Sequence, residues 1–116
     1  VTANGRNIPN YHFEDLYLFA KAYMQHKLKN PAIIVDTNHA NSMKRYFEQP
    51  RIAREVLSSR RYDAALAKMI KGLMIESYIE EGNQTIGENI YGKSITDACL
   101  GWNDTDKLID DIADNV

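Results

Sequence analysis

Two short apolar runs set the limits on what this chain can fold into. Ala32-Ile33-Ile34-Val35 and Gly72-Leu73-Met74-Ile75 carry no polar alternation. Neither reads as the half-exposed strand of an antiparallel sheet, and both suit strands buried on two faces in a parallel sheet. Each run opens directly into polar residues: Val35 into Asp36-Thr37-Asn38-His39-Ala40-Asn41-Ser42, and Ile75 into Glu76-Ser77. In barrels of parallel strands, working residues cluster where strands pass into the following loops.

Helical patterns alternate with these runs. From Phe13, the residues Leu16, Tyr17, Ala20, Met24 and Leu28 recur at helical spacing, with Asn10 as the expected cap and Asn30-Pro31 as the expected stop. Glu14 and Asp15 suit the positive end of that helix, and Lys27 and Lys29 the negative end. Pro50 fits the start of a second helix with Ile52, Ala53, Val56 and Leu57 on its inner stripe, and a shorter helical piece runs through Leu66, Met69 and Ile70. A last helix is expected after Asn103, with Leu108, Ile109, Ile112, Ala113 and Val116 on one face. Val1 to Pro9 reads as a loop with an Asn4-Gly5 turn, and the long polar stretch with Gly82, Gly87 and Gly92 reads as a loop lining a site. This alternation predicts an α/β fold with parallel strands. Two doubly buried strands alone would leave sheet edges and faces bare, so the expectation is one piece of a larger barrel or doubly wound sheet.

Composition narrows function by exclusion. The net charge of -2, with both signs interspersed, gives no basic field for nucleic acid and no polybasic patch for a membrane. No apolar run approaches the roughly 18 residues of a membrane span. The one cysteine excludes an internal disulfide and fits a reducing compartment, so a cytoplasmic location is expected. The chain begins at Val1 rather than at methionine, and more sequence is expected upstream.

His39, a few residues beyond a buried strand, suits a divalent metal or a proton shuttle, and equally a loop histidine bonded to backbone. Glu76 is sharper, because a carboxylate abutting Leu73-Met74-Ile75 is costly to bury unless it is paired, with Lys44 and Lys93 as the candidate partners, or bound to a cation. Asp97 by itself reads as a turn or capping residue. One imidazole and two carboxylates from three successive segments make a ligand set suited to Mn, Fe, Co or Zn. Cys99 fits a small buried residue, Tyr91 and Trp102 fit packing residues, and Arg51, Arg54, Arg60 and Arg61 fit an outer helix face.

Three blocks carry a more specific signal: Asn38-His39-Ala40-Asn41-Ser42, Ile75-Glu76-Ser77 with Glu81-Gly82-Asn83-Gln84, and Gly92-Lys93-Ser94-Ile95-Thr96-Asp97-Ala98-Cys99. In content, order and separation they resemble the class I 3-deoxy-D-arabino-heptulosonate 7-phosphate (DAHP) synthases, which open the shikimate pathway. The resemblance covers essentially the whole chain and implies the C-terminal portion of a (β/α)8 barrel. It implies metal ligation by His39, Glu76 and Asp97, with Lys44 and Asp97 in the catalytic machinery. The implied substrates are phosphoenolpyruvate and erythrose 4-phosphate, and the full protein is expected to be a homo-oligomer. The family's cysteine ligand and its Lys-Pro-Arg-Thr phosphate loop have no counterpart here, and Cys99 matches a second cysteine near the metal. Two other readings stand beside the synthase: a non-catalytic barrel fragment acting in assembly, and a metal-dependent aldolase of other specificity.

Overall fold

The computed structural model describes residues 2–116. Its elements in chain order are β1 (Thr2–Ala3), β2 (Arg6–Asn7), α1 (Phe13–Gln25), β3 (Ile33–Asp36), a 3-10 turn (Tyr46–Glu48), α2 (Gln49–Tyr62), α3 (Ala64–Met69), β4 (Ile70–Met74), β5 (Glu80–Asn83), β6 (Lys93–Ser94) and α4 (Trp102–Asn115). The mixed α/β reading and the parallel pairing of the two apolar runs both hold. β3 and β4 lie side by side in parallel, with Val35 opposite Leu73 and Asp36 opposite Met74.

Helices cover one face of this strand pair. Leu16 and Ala20 of α1, Ile52 and Val56 of α2, and Leu66 and Met69 of α3 form one core with Val35 and Ile70. Ala53, on a neighbouring face of α2, packs with Leu100 and with Leu108 of α4. Helix α2 is therefore shared by two cores, and its predicted stripe of Ile52, Ala53, Val56 and Leu57 is buried throughout. At about 1.5–3 kcal/mol for each large aliphatic side chain buried, Ile52, Val56 and Leu57 make this helix the largest helical contributor of buried aliphatic surface among the described residues.

The other face of the strand pair is bare, contrary to the expectation of two-sided burial. Ile34 is 68% exposed and Met74 48% exposed, because no second layer lies over them among the described residues. The stripes of the outer helices are narrower than their sequences suggest for the same reason. Tyr17 and Met24 on α1, Leu28 just after it, and Ile109 and Val116 at α4 are all exposed.

Several boundaries shift for local reasons. α1 starts after His12 rather than Asn10, whose backbone N–H is taken by the Asn41 side chain at 2.8 Å. It ends at Gln25, before Asn30-Pro31, where Lys27 turns into the left-handed region at φ 49°. Lys27 and Lys29 therefore lie outside its last turn. α4 takes Gly101 instead of Asn103 at its N-cap position. Ile70 opens β4 rather than closing α3. The Asn4-Gly5 turn joins β1 to β2 in a small hairpin, with both turn residues at positive φ.

The long polar stretch is a ribbon rather than a bare loop. β5 and β6 pair in parallel, and Cys99 and Gly82 exchange backbone bonds at 2.8 and 3.1 Å. Gly92 is required within it: at φ 77°, an added Cβ would lie 2.9 Å from Cβ of Ile79. The segment carrying Asp97 is tied back to the end of β4 by Leu100 N–H to Glu76 O at 3.0 Å and Tyr78 N–H to Leu100 O at 2.8 Å.

Candidate metal centre

The strand ends are locked by buried amides before any ligand is presented. Thr37 N–H donates to Met74 O at 2.9 Å, continuing the strand pair by one residue. Gln49, fully buried at the first turn of α2, accepts from Glu76 N–H at 2.8 Å, donates to Glu76 O at 2.9 Å and accepts from the Thr37 hydroxyl at 2.9 Å. One side chain thus satisfies both backbone groups of Glu76 and fixes where its carboxylate leaves the chain.

The loop after β3 is equally constrained. Asn41 donates to Asp36 O at 2.7 Å, and Asp36 Oδ1 accepts from Asn38 N–H at 2.8 Å. His39, Met43 and Lys44 all take positive φ, at 48°, 54° and 60°. Non-glycine residues held in this region cost energy, and such strain gathers at functional sites.

From this frame His39, Glu76 and Asp97 converge. His39 Nε2 lies 3.2 Å from Glu76 Oε1 and 3.3 Å from Asp97 Oδ2. One donor atom from each residue falls within 4.8 Å of the others, close enough to hold one metal ion. The outer atom of each is already engaged. His39 Nδ1 pairs with Asp36 Oδ2 at 2.7 Å, Asn38 Nδ2 donates to Glu76 Oε2 at 2.5 Å, and Lys44 Nζ donates to Asp97 Oδ1 at 3.3 Å.

With its Nδ1 proton given to Asp36, a neutral His39 directs the Nε2 lone pair at two carboxylate oxygens. That arrangement is repulsive unless a proton or a cation lies between them. The hydrogen bond to Asp36 raises the His39 pKa above its ordinary value; desolvation opposes the shift, and the charges of Asp36, Glu76 and Asp97 reinforce it. A carboxylate-bonded imidazole beside two carboxylates is the donor set that divalent transition metals select.

Other residues singled out in the sequence fall in different places. Lys44 is bound to Asp97 and not to Glu76, because the loop carries it across to the Asp97 segment. Lys93 forms no ion pair with Glu76; it lies on β6. Arg45, the neighbour of Lys44 and not among those residues, stacks on Phe47 with its guanidinium carbon 4.9 Å from the ring centre. Cys99 is buried, outside the converging set, with burial foremost in pushing its thiol pKa up. Tyr91 and Trp102 are exposed rather than packed, on the rim of an open groove of about 770 Å³. Arg54 pairs with Asp111 of α4, and Arg51 with Glu48 and Glu55, as expected of an outer helix face. Sequence patterns did not single out Asp36, Asn38 or Gln49 as supports of the centre.

Residues 2–110 match the DAHP synthetase I family. The chain belongs to that family. A DAHP synthetase I relative from Buchnera aphidicola of Schizaphis graminum, the Trp-sensitive phospho-2-dehydro-3-deoxyheptonate aldolase, is 39% identical over 119 aligned residues, which take in 100% of this chain and 33% of the relative. The Phe-sensitive aldolase of Escherichia coli K12 is 44% identical over 87 residues, covering 72% of this chain and 24% of the relative. Among solved structures, the aldolase of Francisella tularensis SCHU S4 aligns with a TM-score of 0.84 at 27% identity, covering 94% of this chain and 31% of that one. The chain therefore spans about a third of the length of these DAHP synthetase I relatives.

Proposed function

We propose that this chain supplies the metal-holding mouth of a DAHP synthase. In this reading β3 and β4 with the surrounding helices are the C-terminal part of a (β/α)8 barrel. The full protein condenses phosphoenolpyruvate with erythrose 4-phosphate and releases phosphate, at the entry to aromatic amino acid biosynthesis. The observation that carries it is the aim of His39 Nε2, Glu76 Oε1 and Asp97 Oδ2 at one point while every outer atom is bonded elsewhere. The names of the relatives support the reaction class.

His39, Glu76 and Asp97 would hold a divalent Mn, Fe, Co or Zn ion. When bound, such an ion supplies Lewis-acid polarisation of the aldehyde carbonyl. Asp36 keeps the His39 imidazole in the tautomer that offers Nε2 to the ion. Lys44 holds Asp97 in place and, with its side chain 73% exposed, offers an ammonium group to a substrate oxygen. The narrow separation of these groups fixes the carbonyl relative to the cations, the kind of orientation that lowers a bimolecular barrier by several kcal/mol.

Removal and return of metal test the reading. The full protein, stripped with a chelator, is expected to lose turnover of the two substrates and to regain it as Mn²⁺ fills one site per chain. Undiminished turnover with no metal present would overturn it.

The bare sheet face favours a second reading, in which these residues complete a barrel without being catalytic. Ile34 and Met74 are exposed, and among the described residues β3 and β4 pair only with each other. Expressed by itself, residues 1–116 should bind hydrophobic dyes and lack sharp cooperative melting. A monomeric, dye-silent fragment with a cooperative transition would show that nothing need cover this face.

A further inference from the structure

Asn38 touches all three segments that bear the candidate ligands. It precedes His39 in the chain. Its Nδ2 donates to Glu76 Oε2 at 2.5 Å and to Ala98 O, the residue after Asp97, at 3.3 Å. Its Oδ1 accepts from the Ser42 hydroxyl at 2.6 Å. The orientation of the amide follows from its partners: the two oxygens at one end accept only, so the NH₂ group must face them, and the hydroxyl at the other end supplies the matching donor. Asn38 and Ser42 are each 2% exposed, which removes water as a substitute partner.

We propose that Asn38 is the positioning residue of the centre, setting the spacing of its donor atoms, with Ser42 holding the amide in register. The inference rests on the metal reading above. A carboxylate has two equivalent oxygens and rotates about its last bond. By occupying Glu76 Oε2, Asn38 leaves Oε1 as the oxygen turned toward His39 Nε2, 3.2 Å away. The bond to Ala98 O holds the Asp97 backbone at a fixed distance from the His39 loop. Without the amide, Glu76 would turn its second oxygen inward and the Asp97 segment would lose its backbone tie to the loop, keeping only the side-chain bond from Lys44 to Asp97. Groups that orient ligands in this way typically contribute 10- to 100-fold in metal affinity.

The test is Mn²⁺ binding to the full protein, followed by electron paramagnetic resonance of the free and bound ion, alongside melting of the metal-free form. Asn38→Ala should weaken Mn²⁺ binding by about 10-fold or more and alter the spectrum of the bound ion at saturation. Ser42→Ala should weaken binding less, and the double variant no more than Asn38→Ala alone, because Ser42 acts through Asn38. Ile52→Ala, a core variant outside the centre, should lower the melting temperature while leaving Mn²⁺ affinity within about twofold, as expected of a distant and independent site. Wild-type affinity in Asn38→Ala would overturn the inference, as would equal losses in Asn38→Ala and Ile52→Ala, or additive losses in the double variant. Should Asn38→Ala not fold, unchanged affinity and spectrum in Ser42→Ala would overturn it. If the wild-type protein binds no Mn²⁺ the metal reading itself fails, an outcome distinct from all of these.

Discussion

Replacing His39 or Glu76 by alanine in the full protein is expected to abolish synthase turnover through loss of metal. Each substitution removes an inner donor atom and also strands the group that was holding its outer atom. In His39→Ala, Asp36 Oδ2 loses its partner, and Glu76 and Asp97 face each other with no imidazole between them. In Glu76→Ala, the buried Asn38 amide loses its shortest bond. Turnover should fall by at least about 10³, the order lost when charge stabilisation at a reacting carbonyl is removed. Metal content, measured on the same samples, should fall with it. Retained turnover at full metal occupancy would remove both residues from the reaction.

The second large effect is expected at Gln49, on stability. Gln49→Ala would leave Glu76 N–H and one contact of the Thr37 hydroxyl without partners, and would take from Glu76 C=O one of its two donors, the other being Leu100 N–H. An orphaned buried polar group costs about 1–3 kcal/mol, so a loss of about 2 kcal/mol or more is expected from the denaturant midpoint of the full protein. Gln49→Met separates the bonds from the packing, because it nearly preserves volume while removing every hydrogen bond. It should recover only a minor part of the loss. Recovery to wild-type stability would mean that Gln49 serves by filling space and that the strand end needs no tether.

The difference between His39 and Gln49 explains what the sequence made legible. His39 and Glu76 stand where apolar runs break, and a titratable residue at a strand end is conspicuous whatever surrounds it. Asp97 is not conspicuous by spacing. Only the residues around it mark it in the sequence, and the bonds between Leu100, Glu76 and Tyr78 explain why so distant a residue arrives at the strand end. Gln49 and Asn38 are neutral amides, common in loops and at helix starts, and only their partners distinguish them. β5 and β6 are not legible in the sequence because Glu80-Glu81-Gly82-Asn83 and Lys93-Ser94 have no apolar alternation; backbone bonds alone make them strands. The bare face of Ile34 and Met74 departs from the expectation of two-sided burial for a different reason. An apolar run records that a strand is meant to be covered, and the cover need not come from the residues in view.

The tied outer atoms have a further consequence, in electroneutrality. Asp36, Glu76 and Asp97 bring three negative charges to the centre, and Lys44, bound to Asp97, returns one positive charge. With His39 neutral, two negative charges remain in a part-buried space. A proton on the imidazole cancels one of them, and a divalent ion cancels both while a trivalent ion would overshoot. The Lys44 contact therefore bears on ion valence as well as on geometry: removing that ammonium deepens the well for any cation and shifts the point of balance toward +3.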